Sequence, residues 1–171
     1  MSTAATIRVG ILTVSDGVAS GTRDDRSGPL IDEWARARGM VVAERDTVPD
    51  DADLIAARLT AWADGARCDL LITTGGTGLA PRDVTPEATG AVLEREAPGI
   101  AERIRTLGAA ATPYAALGRG RAGVRRATLI INLPGSPGGV RDGLDSLSGI
   151  AQHAVDLLAG RTDHPGSTHD S

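Results

Sequence analysis

The sequence predicts an α/β protein, a three-layer α/β/α sandwich built on a mostly parallel central sheet. Three observations carry this expectation. Aliphatic runs at residues 7–14, 68–74 and 127–133 place apolar side chains on consecutive positions, as strands buried on both faces require. Between them, Leu, Ile, Val and Trp recur at helical spacing. Several strand ends run into polar, glycine-rich segments, which in a parallel sheet lie together at the carboxyl edge where ligands bind.

The elements follow in order. Residues 7–14 read as a strand ending at Ser15-Asp16, and residues 17–27 as a polar loop containing Asp24 and Asp25. Gly28-Pro29 opens a helix through about residue 38 that carries Leu30, Ile31 and Trp34, and Gly39 stops it. Residues 40–48 form a second strand, Pro49-Asp50 a turn, and Asp51 or Asp53 starts a helix running to about residue 65. After the strand at 68–74 comes a loop at 75–83 and a helix beginning at Thr85-Pro86-Glu87, with Thr85 as its cap. A further helix spans about residues 99–110. Residues 111–123 are rich in small side chains and are expected to be flexible or ordered by a partner. The strand at 127–133 leads through a tight loop at 134–139 into one long helix over about residues 140–158. A single domain at 7–160 is expected, with a flexible stretch at 1–6 and a disordered tail at 161–171.

Composition excludes several classes of function. A chain of 171 residues buries roughly 70% of its unfolded surface, so it needs no disulfide or metal staple. Cys68 is the single cysteine, which excludes an intrachain disulfide and suits a reducing cytoplasm. Residues 1–6 lack a signal-peptide apolar segment, and no apolar run approaches the ~20 residues of a membrane span. The aromatic residues are Trp34, Trp62 and Tyr114, and the formal net charge is -4, so neither base stacking nor a basic face points to nucleic acid. All 18 basic residues are arginine. A P-loop lysine, a Schiff-base lysine and a lysine adenylylation nucleophile are therefore absent. Any phosphate must be met by backbone N–H groups, arginine or a metal ion.

The segment at residues 73–89 is the richest in chemistry. Gly75, Gly76 and Gly78 free the backbone for positive φ and close approach to a ligand, and successive N–H groups in such a turn form an anion nest. Thr77 adds a hydroxyl, and the positive end of the helix at Thr85 lies close by. Asp83 would repel a bare phosphate, a conflict removed if it holds Mg²⁺ that also touches the phosphates. Asp50 reads either as a helix-capping neighbour of Asp51 or as a second carboxylate for that metal. Ser15 and Asp16 share the same sheet edge. Pro134-Gly135-Ser136-Pro137 reads either as only a rigid turn or as one whose two prolines pre-order Gly135 and Ser136 to touch a ligand. Arg119, Arg121, Arg125 and Arg126 are either solvated surface or phosphate contacts. Cys68 is read as packing, and His153, His164 and His169 form no metal motif.

Four motifs occur together in order: Thr13-Val14-Ser15-Asp16; Thr74-Gly75-Gly76-Thr77-Gly78; Arg82-Asp83-Val84-Thr85-Pro86-Glu87-Ala88-Thr89; and Asn132-Leu133-Pro134-Gly135-Ser136-Pro137. Together they resemble the molybdopterin-binding domain of the MogA/MoaB group, also found in gephyrin and plant relatives, over about residues 7–158. The resemblance implies the molybdenum-cofactor-binding domain fold and molybdopterin adenylyltransferase activity, in which ATP and molybdopterin give adenylyl-molybdopterin and pyrophosphate with Mg²⁺. It implies a homotrimer, or a hexamer as in some MoaB-type members. Asp50 and Asp83 match the group's two essential aspartates, as catalytic and metal-holding residues. Gly75, Gly76, Thr77, Gly78, Pro134, Gly135 and Ser136 match its pterin contacts, and Ser15, Asp16, Thr85 and Glu87 complete the expected substrate site. Many relatives carry a Ser-Arg pair where this chain reads Leu117-Gly118-Arg119. The alternative reading is a MoaB-type protein that binds molybdopterin without turnover.

Overall fold

The structure is a computed structural model in which residues 5–161 are described. The expectations for residues 1–4 and 162–171 lie outside that range. Six strands form one sheet in the order β2-β1-β3-β6-β5-β4. These are β1 (Arg8–Val14), β2 (Val41–Val48), β3 (Leu70–Thr74), β4 (Arg95–Glu96), β5 (Ala122–Arg125) and β6 (Thr128–Leu133). β2, β1, β3 and β6 run parallel, while β5 and β4 add an antiparallel edge.

The helices are α1 (Asp16–Ala19), α2 (Gly28–Ala37), α3 (Ala52–Asp64), α4 (Thr85–Val92), α5 (Pro98–Gly108), α6 (Pro137–Leu147) and α7 (Ala151–Leu158). They cover both faces of the sheet, because side chains on successive strand positions point to opposite sides. Val9, Ile11, Leu70, Ile72, Leu129 and Ile131 share a core with Ile31 of α2, Ile104 of α5, Leu144 of α6 and Val155 of α7. On the other face, Leu12, Val14, Leu71 and Ile130 pack with Ile55, Leu59 and Trp62 of α3 and Ala88 and Val92 of α4. The three-layer architecture is therefore as the sequence predicts.

Four local expectations are corrected. Residues 17–27 are not all loop, because Ser15 accepts a hydrogen bond from the Val18 N–H and starts the single turn α1. The long helix at 140–158 is two helices. It starts earlier, capped by Ser136, whose hydroxyl accepts from the Gly139 N–H at 3.1 Å. It breaks where Ser148 turns extended and Gly149 takes φ +83°. The segment at 111–123 is ordered within the chain, as a 3₁₀ turn (Pro113–Leu117) followed by β5. β5 and β6 form a tight hairpin around Arg126, which sits at φ +54° with its N–H donated to Glu94 Oε1 at 2.6 Å. Among the described residues, no helix is long and apolar enough to cross a membrane.

Candidate functional site

The parallel strands end level with one another: Val14 pairs with Val48, Thr13 with Thr74, and Thr74 with Leu133. The loops after β1, β3 and β6 therefore leave the sheet side by side. β1 is flanked by β2 and β3, so the chain changes direction across the sheet at β1, and a crevice opens there. The loops touch as backbone. A Cβ on Gly75 would lie 2.2 Å from the Val14 carbonyl oxygen, and one on Gly135 would lie 3.1 Å from Gly75 Cα. Thr74 Oγ1 donates to the Pro134 carbonyl at 2.7 Å, and Ser27 Oγ to the Gly135 carbonyl at 2.7 Å.

The glycine loop is held from behind. Gly75 and Gly76 take φ of +100° and +67°, two successive left-handed residues that only glycine adopts without strain. Thr85 Oγ1 donates to the Gly75 carbonyl at 2.9 Å, and the Thr85 N–H to the Gly76 carbonyl at 3.1 Å. The Arg119 N–H donates to the Thr77 carbonyl at 2.8 Å, and Arg119 Nε to the Gly78 carbonyl at 2.8 Å. Four consecutive carbonyls are thus satisfied on one side. The N–H groups of Gly76, Thr77 and Gly78 have no partner among the described residues. A turn with spent acceptors and free donors is an anion site.

Two expectations change in detail. Gly78 is not left-handed; its missing side chain makes room for Asp83, whose Oδ2 would lie 2.8 Å from a Cβ there. Thr85 does not cap α4 with its side chain. It is the first residue of the helix, with Val84 at the cap position, and its hydroxyl is spent on the glycine loop.

The carboxylates divide into two kinds. Asp16 and Asp50 grip each other's backbone: Asp16 N–H donates to Asp50 Oδ2 at 2.9 Å, and Asp50 N–H to Asp16 Oδ1 at 3.0 Å. Arg82 then closes on Asp16, with Nε to Oδ2 at 2.5 Å and Nη2 to Oδ1 at 2.9 Å. The guanidinium and the Asp50 N–H together hold the Asp16 carboxyl below its usual range. Asp16 is therefore occupied in positioning Asp50. Glu87 is likewise tied to the Arg119 guanidinium, which holds its carboxyl low. Asp50 and Asp83 border the loop. A Cβ on Gly76 would lie 3.0 Å from Asp50 Oδ1. Burial, and then the charges of Asp16 and Asp83, push the Asp50 carboxyl up despite the Asp16 N–H and Arg82.

A native carboxyl with a raised pKa favours folding while protonated and loses that contribution as pH rises through its native value. In the absence of divalent cations, Asp50→Asn is therefore expected to raise the melting temperature at pH 7. The gain should shrink as pH falls toward the carboxyl's native pKa. Thermal melts of both proteins from about pH 4, near the usual carboxylate value, up to about pH 8 check this, and a melting temperature unchanged at every pH would contradict it.

Two adjoining cavities meet at this loop. One, of about 560 Å³, is walled largely by α5, the 3₁₀ turn and the start of α6, including Ala101, Ile104, Tyr114 and Leu117. The other, of about 780 Å³, is polar and is bordered by Ser15, Arg23, Arg26, Ser27 and Asp50. Gly76, Asp83, Gly135 and Ser136 border both. All the residues expected at the site lie at this edge, but in different roles. Gly75–Gly78, Asp50, Asp83, Gly135 and Ser136 face the cavities. Thr85, Glu87, Asp16 and the Pro134 carbonyl serve as braces, and Ser15 caps α1 while bordering the polar cavity. Arg119, expected above as surface or a phosphate contact, is instead a brace on the loop carbonyls and Glu87, and Arg82 and Ser27 are braces too, a role the sequence did not assign to them.

Residues 10–153 match the family described as "Probable molybdopterin binding domain". The chain belongs to this family. A molybdopterin adenylyltransferase of Helicobacter pylori (strain J99) is 40% identical over 157 residues, covering 91% of this chain and 89% of that protein. The molybdenum cofactor synthesis protein cinnamon of Drosophila melanogaster is 39% identical over 166 residues, and the match spans 27% of that longer protein. The crystal structure of the molybdopterin biosynthesis enzyme MoaB from Thermus thermophilus superposes with a TM-score of 0.86 at 50% identity, covering 91% of this chain and 98% of that one. In this molybdopterin-binding domain, the glycine nest, the two cavities and the pair Asp50 and Asp83 form one continuous crevice.

Proposed function

We propose that the protein transfers AMP from ATP to the terminal phosphate of molybdopterin, giving adenylyl-molybdopterin and pyrophosphate. The observation that carries this reading is the row of free N–H groups at Gly76, Thr77 and Gly78, which lines the less polar cavity and reaches the polar one at Gly76. Two anionic ligands can enter from opposite sides and meet at one anion nest. The less polar cavity suits the pterin, and the polar one the nucleotide. The named activity of the Helicobacter pylori relative supports the same reading.

The chain's own residues account for the chemistry. A phosphate monoester has its second pKa near 6, so the attacking oxygen is mostly deprotonated at pH 7 and no general base is needed. The difficulty is bringing two polyanions together. The nest N–H groups stabilise charge where the phosphates meet, and the braces from Thr85 and Arg119 hold those donors without rearrangement. Asp50 and Asp83 suit a magnesium ion. Burial, and the nearby charges of Asp16 and Asp83, raise the Asp50 carboxyl, the situation a cation relieves. A cation with few protein ligands, completed by phosphates and water, fits such a site. When bound it would screen the two phosphate groups from each other.

Mixing the protein with molybdopterin, ATP and Mg²⁺ should yield adenylyl-molybdopterin, identified by mass. Tight molybdopterin binding with no adenylylated product would favour the non-catalytic MoaB-type reading, which the substitution of Leu117-Gly118 ahead of Arg119 keeps open. We further propose a single functional unit over residues 7–160, a cytoplasmic setting and a homotrimer, with a hexamer as the alternative. Exposed Leu79, Tyr114 and Leu117 offer apolar surface for such an assembly. Light scattering on the purified protein reads its mass directly.

A further inference from the structure

Of the 18 arginines, 14 direct their guanidinium to a carboxylate, a hydroxyl or a carbonyl. The four side chains with no such partner among the described residues are Arg23, Arg26, Arg95 and Arg141. Two of these four, Arg23 and Arg26, border the polar cavity. They flank a pinned loop. The Arg23 N–H donates to the Gly17 carbonyl at 3.1 Å. Asp25 Oδ1 accepts from the Ser27 and Gly28 N–H groups at 3.1 and 2.9 Å, and its Oδ2 accepts from Thr13 Oγ1 at 2.8 Å. Asp25 is thereby spent on holding the loop to β1 and α2. Asp24, exposed beside it, is the remaining carboxylate on this wall.

We infer that Arg23 and Arg26 bind the β- and γ-phosphates of the nucleotide and receive the departing pyrophosphate. The inference rests on the adenylyl-transfer reading. In that reaction an oxygen of the molybdopterin phosphate bonds to the α-phosphorus of ATP. The bond from that phosphorus to the bridging oxygen of the β-phosphate breaks, and pyrophosphate leaves with the electron pair. Charge therefore accumulates on the leaving group, away from the nest. Within the polar cavity the two unpaired guanidiniums are the cationic side chains available to meet it. Guanidinium is always charged and matches phosphate in a two-pronged geometry. Because the loop is anchored at Gly17, Thr13 and Gly28, little order is lost on binding.

The test is a double variant, Arg23→Gln/Arg26→Gln, with four probes: ATP, molybdopterin, inorganic pyrophosphate and AMP. The KM for ATP and the inhibition constant of pyrophosphate should both rise by roughly tenfold or more, as loss of charged contacts to phosphate predicts. Inhibition by AMP, which lacks the outer phosphates, and the KM for molybdopterin should stay within about twofold, a change of under about half a kcal/mol. Arg23→Lys/Arg26→Lys should recover part of the loss. Unchanged pyrophosphate inhibition would overturn the inference, and so would a parallel loss for all four probes, which marks general damage to the site. If the wild type releases no pyrophosphate from ATP, the transfer reading itself fails. Calorimetric titration of pyrophosphate with Mg²⁺ into wild type and double variant then decides: weaker binding by the variant supports the assignment, and equal binding overturns it.

Discussion

Asp83→Asn is expected to lower the rate of adenylyl transfer by about 10²–10³-fold, which corresponds to about 3–4 kcal/mol of barrier. The substitution keeps the shape of the side chain and an oxygen able to accept the Ala80 N–H, a contact of 3.0 Å that shapes the loop. What it removes is the charge beside Gly78, at the junction of the two cavities. If the carboxylate serves a magnesium ion shared with the phosphates, turnover should fall while molybdopterin binding changes little. Initial rates at saturating ATP and Mg²⁺, beside a direct measurement of molybdopterin affinity, separate the two effects. Near-normal turnover in Asp83→Asn would remove Asp83 from the chemistry.

Gly75→Ala is expected to cost the fold about 2–5 kcal/mol. A left-handed non-glycine residue carries roughly 1–2 kcal/mol of strain, and overpacking adds typically 1–3 kcal/mol. Both terms apply, because the residue sits at φ +100° and an added Cβ would lie 2.2 Å from the Val14 carbonyl oxygen. That oxygen belongs to the end of a central strand, so it has little room to yield. Denaturant unfolding of wild type and variant checks the figure; a loss below about 1 kcal/mol would show that the loop relaxes freely. Gly21, also left-handed at φ +77° but with nothing within 4 Å of its notional Cβ, provides a control in which strain acts without the clash.

These two residues also show what the sequence makes legible. The parallel strands could be read because burial on both faces leaves an unbroken aliphatic run, as in Leu70-Leu71-Ile72. The glycine nest could be read because few residues other than glycine take its backbone angles. The hairpin between β5 and β6 could not. Its turn uses Arg126 in the left-handed region where Asn or Gly would be the usual signal, and the contact that supports it comes from Glu94, distant in sequence. The break between α6 and α7 was hidden for a different reason. Leu144, Leu147, Ala151 and Val155 stay on one buried face across the interruption, so their spacing reads as one continuous helix.

At the site, the types of residue were legible and their division of labour was not. Asp16, Asp50 and Asp83 are equivalent carboxylates in a sequence. Only the fold gives Asp16 to Arg82 and leaves Asp50 and Asp83 beside the glycine loop. Arg119 stands in a basic stretch with Arg121, Arg125 and Arg126. It becomes distinct only when the chain brings it 41 residues back to the Gly78 carbonyl, while Arg125 and Arg126 pair with Asp64. Contacts of such long sequence separation leave no local pattern.

The most direct test of the central claim is molybdopterin-dependent release of pyrophosphate from ATP in the presence of Mg²⁺. Release that requires all three components, and that falls by about 10²–10³-fold in Asp83→Asn, is the predicted result. A wild-type protein that binds molybdopterin tightly yet releases no pyrophosphate would contradict it.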